Sequence, residues 1–189
     1  DHHVADVPGF QAVLGRAAEV ARSGALVTIG IKPTRPETGY GYIRVGEALD
    51  GGAARVKAFV EKPDAETAAG YLASGEYLWN GGIFVFTARA MREAIGQHMP
   101  ELAAVLERIA PALGTSRYAA ALKKYFPAAP AVSIDYGVME KAKQIAVVPG
   151  DFGWSDVGSF AALPEVRAAD EAGNVVVGKG AVLVDSAGC

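Results

Sequence analysis

Apolar positions recur along this chain with two different periods, and the switch between them sets out its elements. Phe10, Val13, Leu14, Ala17, Ala18 and Ala21 return every three or four residues, which predicts an amphipathic helix over 7–22. Asp6 stands where an N-cap belongs, Pro8 suits the first turn, and Gly24 follows the stop. Residues 25–31 are an apolar run, short and bounded by turn formers, as a central strand covered on both faces would be. Residues 32–41 are rich in proline and glycine and read as a loop. A short strand over 42–45, a turn at Asp50-Gly51-Gly52 and a strand over 55–60 follow. In that last strand Arg55 and Lys57 point one way, and Val56, Ala58 and Val60 the other. Asp64 is placed to cap a helix running to about Ser74, with Gly75 closing it.

A second buried strand is expected over 83–87. Residues 88–126 are alanine-rich and helical in pattern, with Leu102, Val105, Leu106 and Ile109 on one stripe, Pro100 at a start and Pro111 at a break. Packing is the expected job of this region. A short helix over 135–141, a strand over 144–148 and a hairpin-like pair over 173–184, turning at Gly178-Lys179-Gly180, complete the pattern. Helix alternating with buried strand predicts an α/β fold with a parallel or mixed sheet. There is no internal repeat and no low-complexity linker.

Composition narrows the partners. The 189 residues suffice for one domain with a buried core, and 51% apolar with 21% charged is ordinary for a globular chain. A net charge of −3 gives no electrostatic reason to expect nucleic acid or an anionic membrane. A phosphorylated ligand would need local positive charge or a bound metal. Cys189 is the one cysteine and cannot form an intrachain disulfide, which suits a reducing cytoplasm. No apolar run is long enough for a spanning helix, and no signal segment opens the chain. Opening at Asp1 and closing just after Val182-Leu183-Val184, the chain reads as a fragment of a longer protein.

Chemistry concentrates in a few stretches. Phe59-Val60-Glu61-Lys62-Pro63 sets an acid beside a base at a strand end, where α/β proteins hold small ligands. Alone, Glu61-Lys62 is equally a solvated ion pair contributing well under about 1 kcal/mol. Trp79-Asn80-Gly81-Gly82-Ile83-Phe84 places an amide and a glycine pair just before an apolar strand. Asn80 is either a turn residue bonded to its own backbone or an amide that donates to and accepts from a ligand hydroxyl. Acid, base and amide together are what a phosphosugar pocket needs. Gly39-Tyr40-Gly41-Tyr42 suits a turn or a close backbone approach. In Gly153-Trp154-Ser155-Asp156-Val157-Gly158, Asp156 suits an N-cap for a turn near Ser159. Asp135 and Glu140 would cap and salt-bridge their short helix. His2-His3 lacks an evident third ligand and does not read as a zinc site.

Joined by Ser133-Ile134-Asp135-Tyr136-Gly137-Val138-Met139-Glu140-Lys141, these stretches resemble, in order, the sugar-1-phosphate nucleotidyltransferase family, nearest to its mannose-1-phosphate branch. The resemblance covers almost the whole chain. It implies an α/β, Rossmann-like sandwich with a mixed β-sheet whose N-terminal strands are missing. Residues 1–172 would be a partial catalytic domain and 173–189 the start of a C-terminal β segment. It implies transfer of GMP from GTP to mannose 1-phosphate, giving GDP-mannose and pyrophosphate, with Mg²⁺ as cofactor. Nucleic acid and membrane are not implied as partners, and a homodimer stays open. By the same resemblance Lys62 and Asp156 are catalytic, and Lys62 also holds the sugar phosphate. Gly41, Glu61, Asn80, Gly82 and Asp135 contact the sugar, and Asp1 and Asp156 bind the metal. The family usually has Ser where this chain has Gly81, which removes one hydroxyl next to the pocket. Its triphosphate loop and base-selecting residues would precede Asp1, so this chain alone is expected to lack transferase activity. Two alternatives remain: a pyrophosphorylase for another sugar 1-phosphate or nucleotide, and a non-catalytic, sugar-nucleotide-sensing subunit.

Overall fold

A computed structural model of the chain describes residues 2–178 and 180–189. They divide into two compact units, Ala12–Gly150 and a second made of Asp1–Gln11 with Asp151–Cys189. Strand β1 (His3–Val4) opens the chain and helix α1 (Val7–Ala21) follows. Asp6 does cap α1, its Oδ1 accepting from the Gly9 N–H at 3.0 Å. Val13, Ala17 and Ala21, four residues apart, are the buried stripe of α1.

The larger unit is built on a mixed five-stranded sheet. Strand β2 (Leu26–Ile31) is buried at every position, as an apolar run covered on both faces must be. Burying each such Leu, Ile or Val contributes about 1.5–3 kcal/mol. The remaining strands are β3 (Tyr42–Leu49), β4 (Ala53–Val60), β5 (Tyr77–Val85) and β6 (Ile145–Gly150). Strand β2 runs parallel to β6 and antiparallel to β5. Strands β5, β3 and β4 follow as antiparallel neighbours, and β4 pairs back onto β6, so the ladder closes on itself. The mixed α/β character is as expected; the closure is new.

Three strand details differ from the sequence pattern. Strand β3 is longer than 42–45 because it continues along β4 as far as Leu49↔Ala53. In β4 the alternation flips: Val45 pairs with Val56 but Arg44 with Ala58, so one extra residue bulges. Phe59 thereby joins Val56 on the core side, while Arg55 and Lys57 stay exposed. Trp79-Asn80-Gly81-Gly82 lies inside β5 rather than before a strand. Thr28 pairs with Phe84 and Gly30 with Asn80, so two extra residues bulge from β5 at the glycine pair. Gly82 takes φ +65°, which glycine adopts without a Cβ penalty.

Helix α2 (Ala65–Ser74) is as local chemistry dictates. Asp64 accepts from the Thr67 N–H at 2.8 Å, and Gly75 ends the helix in the left-handed region. Residues 88–126 resolve into α3 (Ala88–His98), α4 (Pro100–Ile109) and α5 (Tyr118–Tyr125). Of the expected stripe, Val105 and Ile109 are buried and Leu102 packs on the core, while Leu106 is 40% exposed. One core cluster joins Leu26, Ile43, Phe59 and Val147 of the sheet to Ala90, Met91 and Ala94 of α3. Val138 and Met139 complete it from a π-helical turn, Asp135–Met139, where a short ordinary helix was expected.

In the smaller unit β1 pairs antiparallel with β7 (Trp154–Ser155), and a single turn of helix, α6 (Leu163–Val166), lies downstream. The hairpin expected over 173–184 does not form: among the described residues no strand follows β7, and Lys179 of its turn lies outside them. The segment is tied by an amide instead. Buried Asn174 donates through Nδ2 to Asp170 Oδ2 and Ser186 O and accepts from the Cys189 N–H, while Val175 N–H donates to Cys189 O. Val177, Val182 and Val184 stay exposed, so alternation there had no face to cover. No helix among the described residues is long and apolar enough to cross a membrane.

Candidate functional site

Strand β4 ends at Val60, and the chain turns sharply through Glu61-Lys62-Pro63. Lys62 sits at φ +48°, a left-handed conformation rare outside glycine and typical of strained functional turns. The turn tucks the Glu61 side chain inward, 9% exposed, and leaves Lys62 57% exposed. Lys62 Nζ lies 3.2 Å from Glu61 Oε1, whereas Glu61 Oε2 is buried with no hydrogen-bond partner. Burial pushes the Glu61 carboxyl above its ordinary value; Lys62 opposes this, and the negative charges of Asp135 and Glu140 add to it. The same pair raises the Lys62 ammonium, through its hydrogen bond to Glu61. An orphaned, desolvated carboxylate oxygen costs free energy that only a donor arriving from outside recovers.

The β5 bulge aims Asn80. Asn80 is 8% exposed; its Nδ2 donates to Asp135 Oδ1 at 3.1 Å, and its Oδ1 accepts from Thr28 Oγ1 at 2.8 Å and Gly82 N at 3.2 Å. Asn80 N–H donates to Gly41 O at 2.7 Å, which locks the end of loop 32–41 onto β5. Gly41 is a close-approach position. A Cβ there would run into Glu61 Oε2 and stand 3.2 Å from Asn80 Cβ. Gly41, Glu61, Lys62, Asn80, Gly82 and Asp135 thus form one constellation. Gly81 does not join it: a side chain there would meet Ile29 O at 3.1 Å and Ile31 Cγ1, against the neighbouring strand.

The π turn explains why two carboxylates converge. Its i→i+5 bond, Glu140 N to Asp135 O at 2.9 Å, stacks residues five apart, so Asp135 and Glu140 share a side. Asp135 takes the Asn80 amide, and Glu140 Oε1 accepts from the Glu61 N–H at 3.1 Å. A Cβ on Gly137 would run into Met99 Sδ, so glycine lets this turn seat on the core.

Several residues here escape a reading of the sequence. Thr28 is wholly buried and holds Asn80; its only signal is a lone hydroxyl inside an apolar strand. Trp79 is buried with its Nε1 unpartnered, the Tyr40 ring edge-on at 5.2 Å and the Arg35 guanidinium 5.4 Å from its centroid. Those two residues belong to loop 32–41, so the indole anchors the loop that carries Gly41.

Asp156 belongs to the other unit. It follows β7 directly, and its Oδ1 accepts from the Gly158 N–H at 3.2 Å, a local turn rather than the expected cap near Ser159. Val157 between them is held at φ +46°, a strained position for a β-branched residue. The β1–β7 ladder sets His3 opposite Ser155, and the His2 ring packs edge-on against Trp154 at 5.5 Å. Antiparallel pairing therefore sets His3 beside the residue that precedes Asp156. Asp1 lies outside the described residues. Among those described, no three His, Cys, Asp or Glu side chains gather as a metal cage. A carboxylate such as that of Asp156 fits an ion that takes one or two protein oxygens and completes its shell with water and phosphate, as Mg²⁺ does.

Comparison with known proteins finds relatives along most of the chain. The family model for nucleotidyl transferases matches residues 1–173. The xanthan biosynthesis protein XanB of Xanthomonas campestris is 47% identical over 92% of this chain and 37% of its own length. A mannose-1-phosphate guanylyltransferase of Escherichia coli is 44% identical over 94% of this chain and 38% of its own. A crystal structure from Thermus thermophilus, described as a mannose-1-phosphate geranyltransferase, superposes with a TM-score of 0.82 at 42% identity. That match covers 95% of this chain and 51% of the solved one. The chain thus spans about two fifths of the curated relatives it matches.

Proposed function

The chain belongs to the nucleotidyl transferase family, and from that premise we propose that its protein transfers GMP from GTP to mannose 1-phosphate, releasing pyrophosphate. The observation that carries the acceptor half is the unpartnered, buried Glu61 Oε2 beside Gly41, with Lys62 at its mouth. Glu61 accepts from sugar hydroxyls, Asn80 donates its remaining amide hydrogen, and Gly41 and Gly82 let the backbone come close. Lys62 leaves Glu61 Oε1 for the sugar phosphate, a compact ammonium on a compact dianion. Asp135 acts through Asn80. The guanine and mannose preference rests on the relatives named mannose-1-phosphate guanylyltransferases.

In the reaction a phosphate oxygen of the sugar forms a bond to the α-phosphorus of GTP. The bond from that phosphorus to the bridging oxygen breaks, and pyrophosphate departs with the electron pair. Such a transfer needs positioning and charge stabilisation rather than a protein nucleophile. Asp156, with Asp1 supplied by the resemblance, would hold Mg²⁺, which neutralises charge on the phosphates. The strained turn at Val157 and the β1–β7 pairing support that assignment.

The test is pyrophosphate release by the full-length protein, with GTP, ATP, UTP and dTTP each against mannose, glucose and N-acetylglucosamine 1-phosphates. GTP with mannose 1-phosphate should exceed every other pair by at least about tenfold in kcat/KM, a difference of about 1.4 kcal/mol. A different preferred pair would overturn the proposal. Lys62→Ala should raise KM for mannose 1-phosphate far more than KM for GTP.

A further inference from the structure

We propose that Thr28 is a positioning residue that fixes which hydrogen-bonding face Asn80 shows to the ligand, so that one acceptor hydroxyl is read by both Asn80 and Glu61. This rests on the sugar-phosphate reading of the site. Thr28 is fully buried and is the one polar side chain in β2. Its hydroxyl and the Gly82 N–H both lie on Asn80 Oδ1, at 2.8 and 3.2 Å. An N–H cannot accept, so the amide atom facing Gly82 is the oxygen, and the atom facing the Asp135 carboxylate is the nitrogen. With both lone pairs of that oxygen engaged, Asn80 has nothing left to accept with. One Nδ2 hydrogen goes to Asp135; the other is free for a ligand.

Glu61 Oε2 has the opposite character, since a carboxylate only accepts. The position of a Gly41 Cβ runs against Glu61 Oε2 and lies 3.5 Å from Asn80 Nδ2, so the two groups flank one small space. A group beside it that satisfies both must accept with an oxygen and donate a hydrogen. A hydroxyl does so; an ether or a fluorine does not. Remove the Thr28 hydroxyl and one lone pair of Asn80 reopens, the amide loses one of its three fixings, and Asn80 can accept as well as donate.

The experiment measures the dissociation constant of mannose 1-phosphate for the full-length protein and its Thr28→Val, Thr28→Ala, Thr28→Ser and Asn80→Ala variants. The ¹H–¹⁵N resonances of the Asn80 side-chain amide and each variant's melting midpoint are recorded alongside. Thr28→Val and Thr28→Ala should weaken binding about tenfold and move the Asn80 amide resonances, and Thr28→Ser should restore both. Thr28→Ala carries the comparison if Thr28→Val does not fold. Wild-type binding in Thr28→Val with unmoved Asn80 resonances, while Asn80→Ala binds weakly, would overturn the role of Thr28. Equal losses in Thr28→Ser and Thr28→Val would overturn it too. If Asn80→Ala binds as tightly as wild type, the sugar-phosphate reading falls instead. The Asn80 resonances then decide on Thr28: moved by Val and restored by Ser supports it, unmoved overturns it.

Discussion

Glu61 turns its side chain inward, with one carboxylate oxygen left for a hydrogen-bond donor from outside. Its side chain is 9% exposed, one oxygen lacks a partner, and burial raises its titration despite Lys62 at 3.2 Å. An acid whose folded-state value lies above its unfolded one binds its proton more tightly when folded. The associated stability is therefore fully present below the ordinary carboxylate value of 4.5 and is lost as pH rises through the raised one. Glu61→Gln keeps the shape and removes the titration. It should flatten the fall of melting temperature across that weakly acidic window, leave stability at neutral pH equal or higher, and weaken mannose 1-phosphate ten- to a hundredfold. A lower melting temperature at neutral pH would mean that the Lys62 pair outweighs the burial penalty. Gly41→Ala tests the same pocket by volume. Its Cβ meets Glu61 Oε2, so denaturant titration should show a loss of about 1–3 kcal/mol, alongside weaker binding of the sugar phosphate.

Two irregular elements, the β5 bulge and the π turn, gather what the regular ones could not. Gly137→Ala should test the turn, because its Cβ runs into Met99 Sδ and the turn must shift. The expected cost is about 1–3 kcal/mol in denaturant, with a matching fall in mannose 1-phosphate affinity as Asp135 and Glu140 leave their partners. Shortening the obstacle, as in Gly137→Ala with Met99→Ala, should recover affinity but not stability. Unchanged binding in Gly137→Ala would show that the turn does not position the site. These elements also mark the limit of what a sequence conveys. Helix α2 is legible end to end, because Asp64 and Gly75 act within a few residues of their own positions. The bulges are not, since register depends on a partner strand distant in sequence; alternation continued straight through Lys57 therefore misses the place of Phe59 in the core. The π turn likewise seats against Met99 and the core, which lie outside the segment. Glu61, Lys62 and Asn80 stand out as a motif, but Thr28 carries none, and nothing in the stretch 133–141 shows that Glu140 reaches the Glu61 N–H.

At the scale of the molecule the candidate chemistry is divided. Every residue proposed to bind the acceptor, from Gly41 to Asp135, lies in Ala12–Gly150, where Asn80 is held by Asp135 and Glu61 by Lys62. Asp156 belongs to the other unit, where its loop is set by β7 and the strained Val157. If the sugar phosphate is recognised by charge and hydrogen bonds within one unit, its binding should not depend on the ion that Asp156 is proposed to hold for the triphosphate. In the full-length protein, chelation of divalent cations should therefore abolish pyrophosphate release while changing the calorimetric affinity for mannose 1-phosphate by less than about twofold, under about 0.4 kcal/mol. Asp156→Asn should do the same without chelator, because an amide is a poorer partner than a carboxylate for a hard cation. Loss of sugar-phosphate binding on chelation would mean that the metal, not Lys62, carries the phosphate. The ammonium of Lys62, raised first by its hydrogen bond to Glu61 and also by Tyr136 and Asp135, would then serve the Glu61 pair rather than the phosphate.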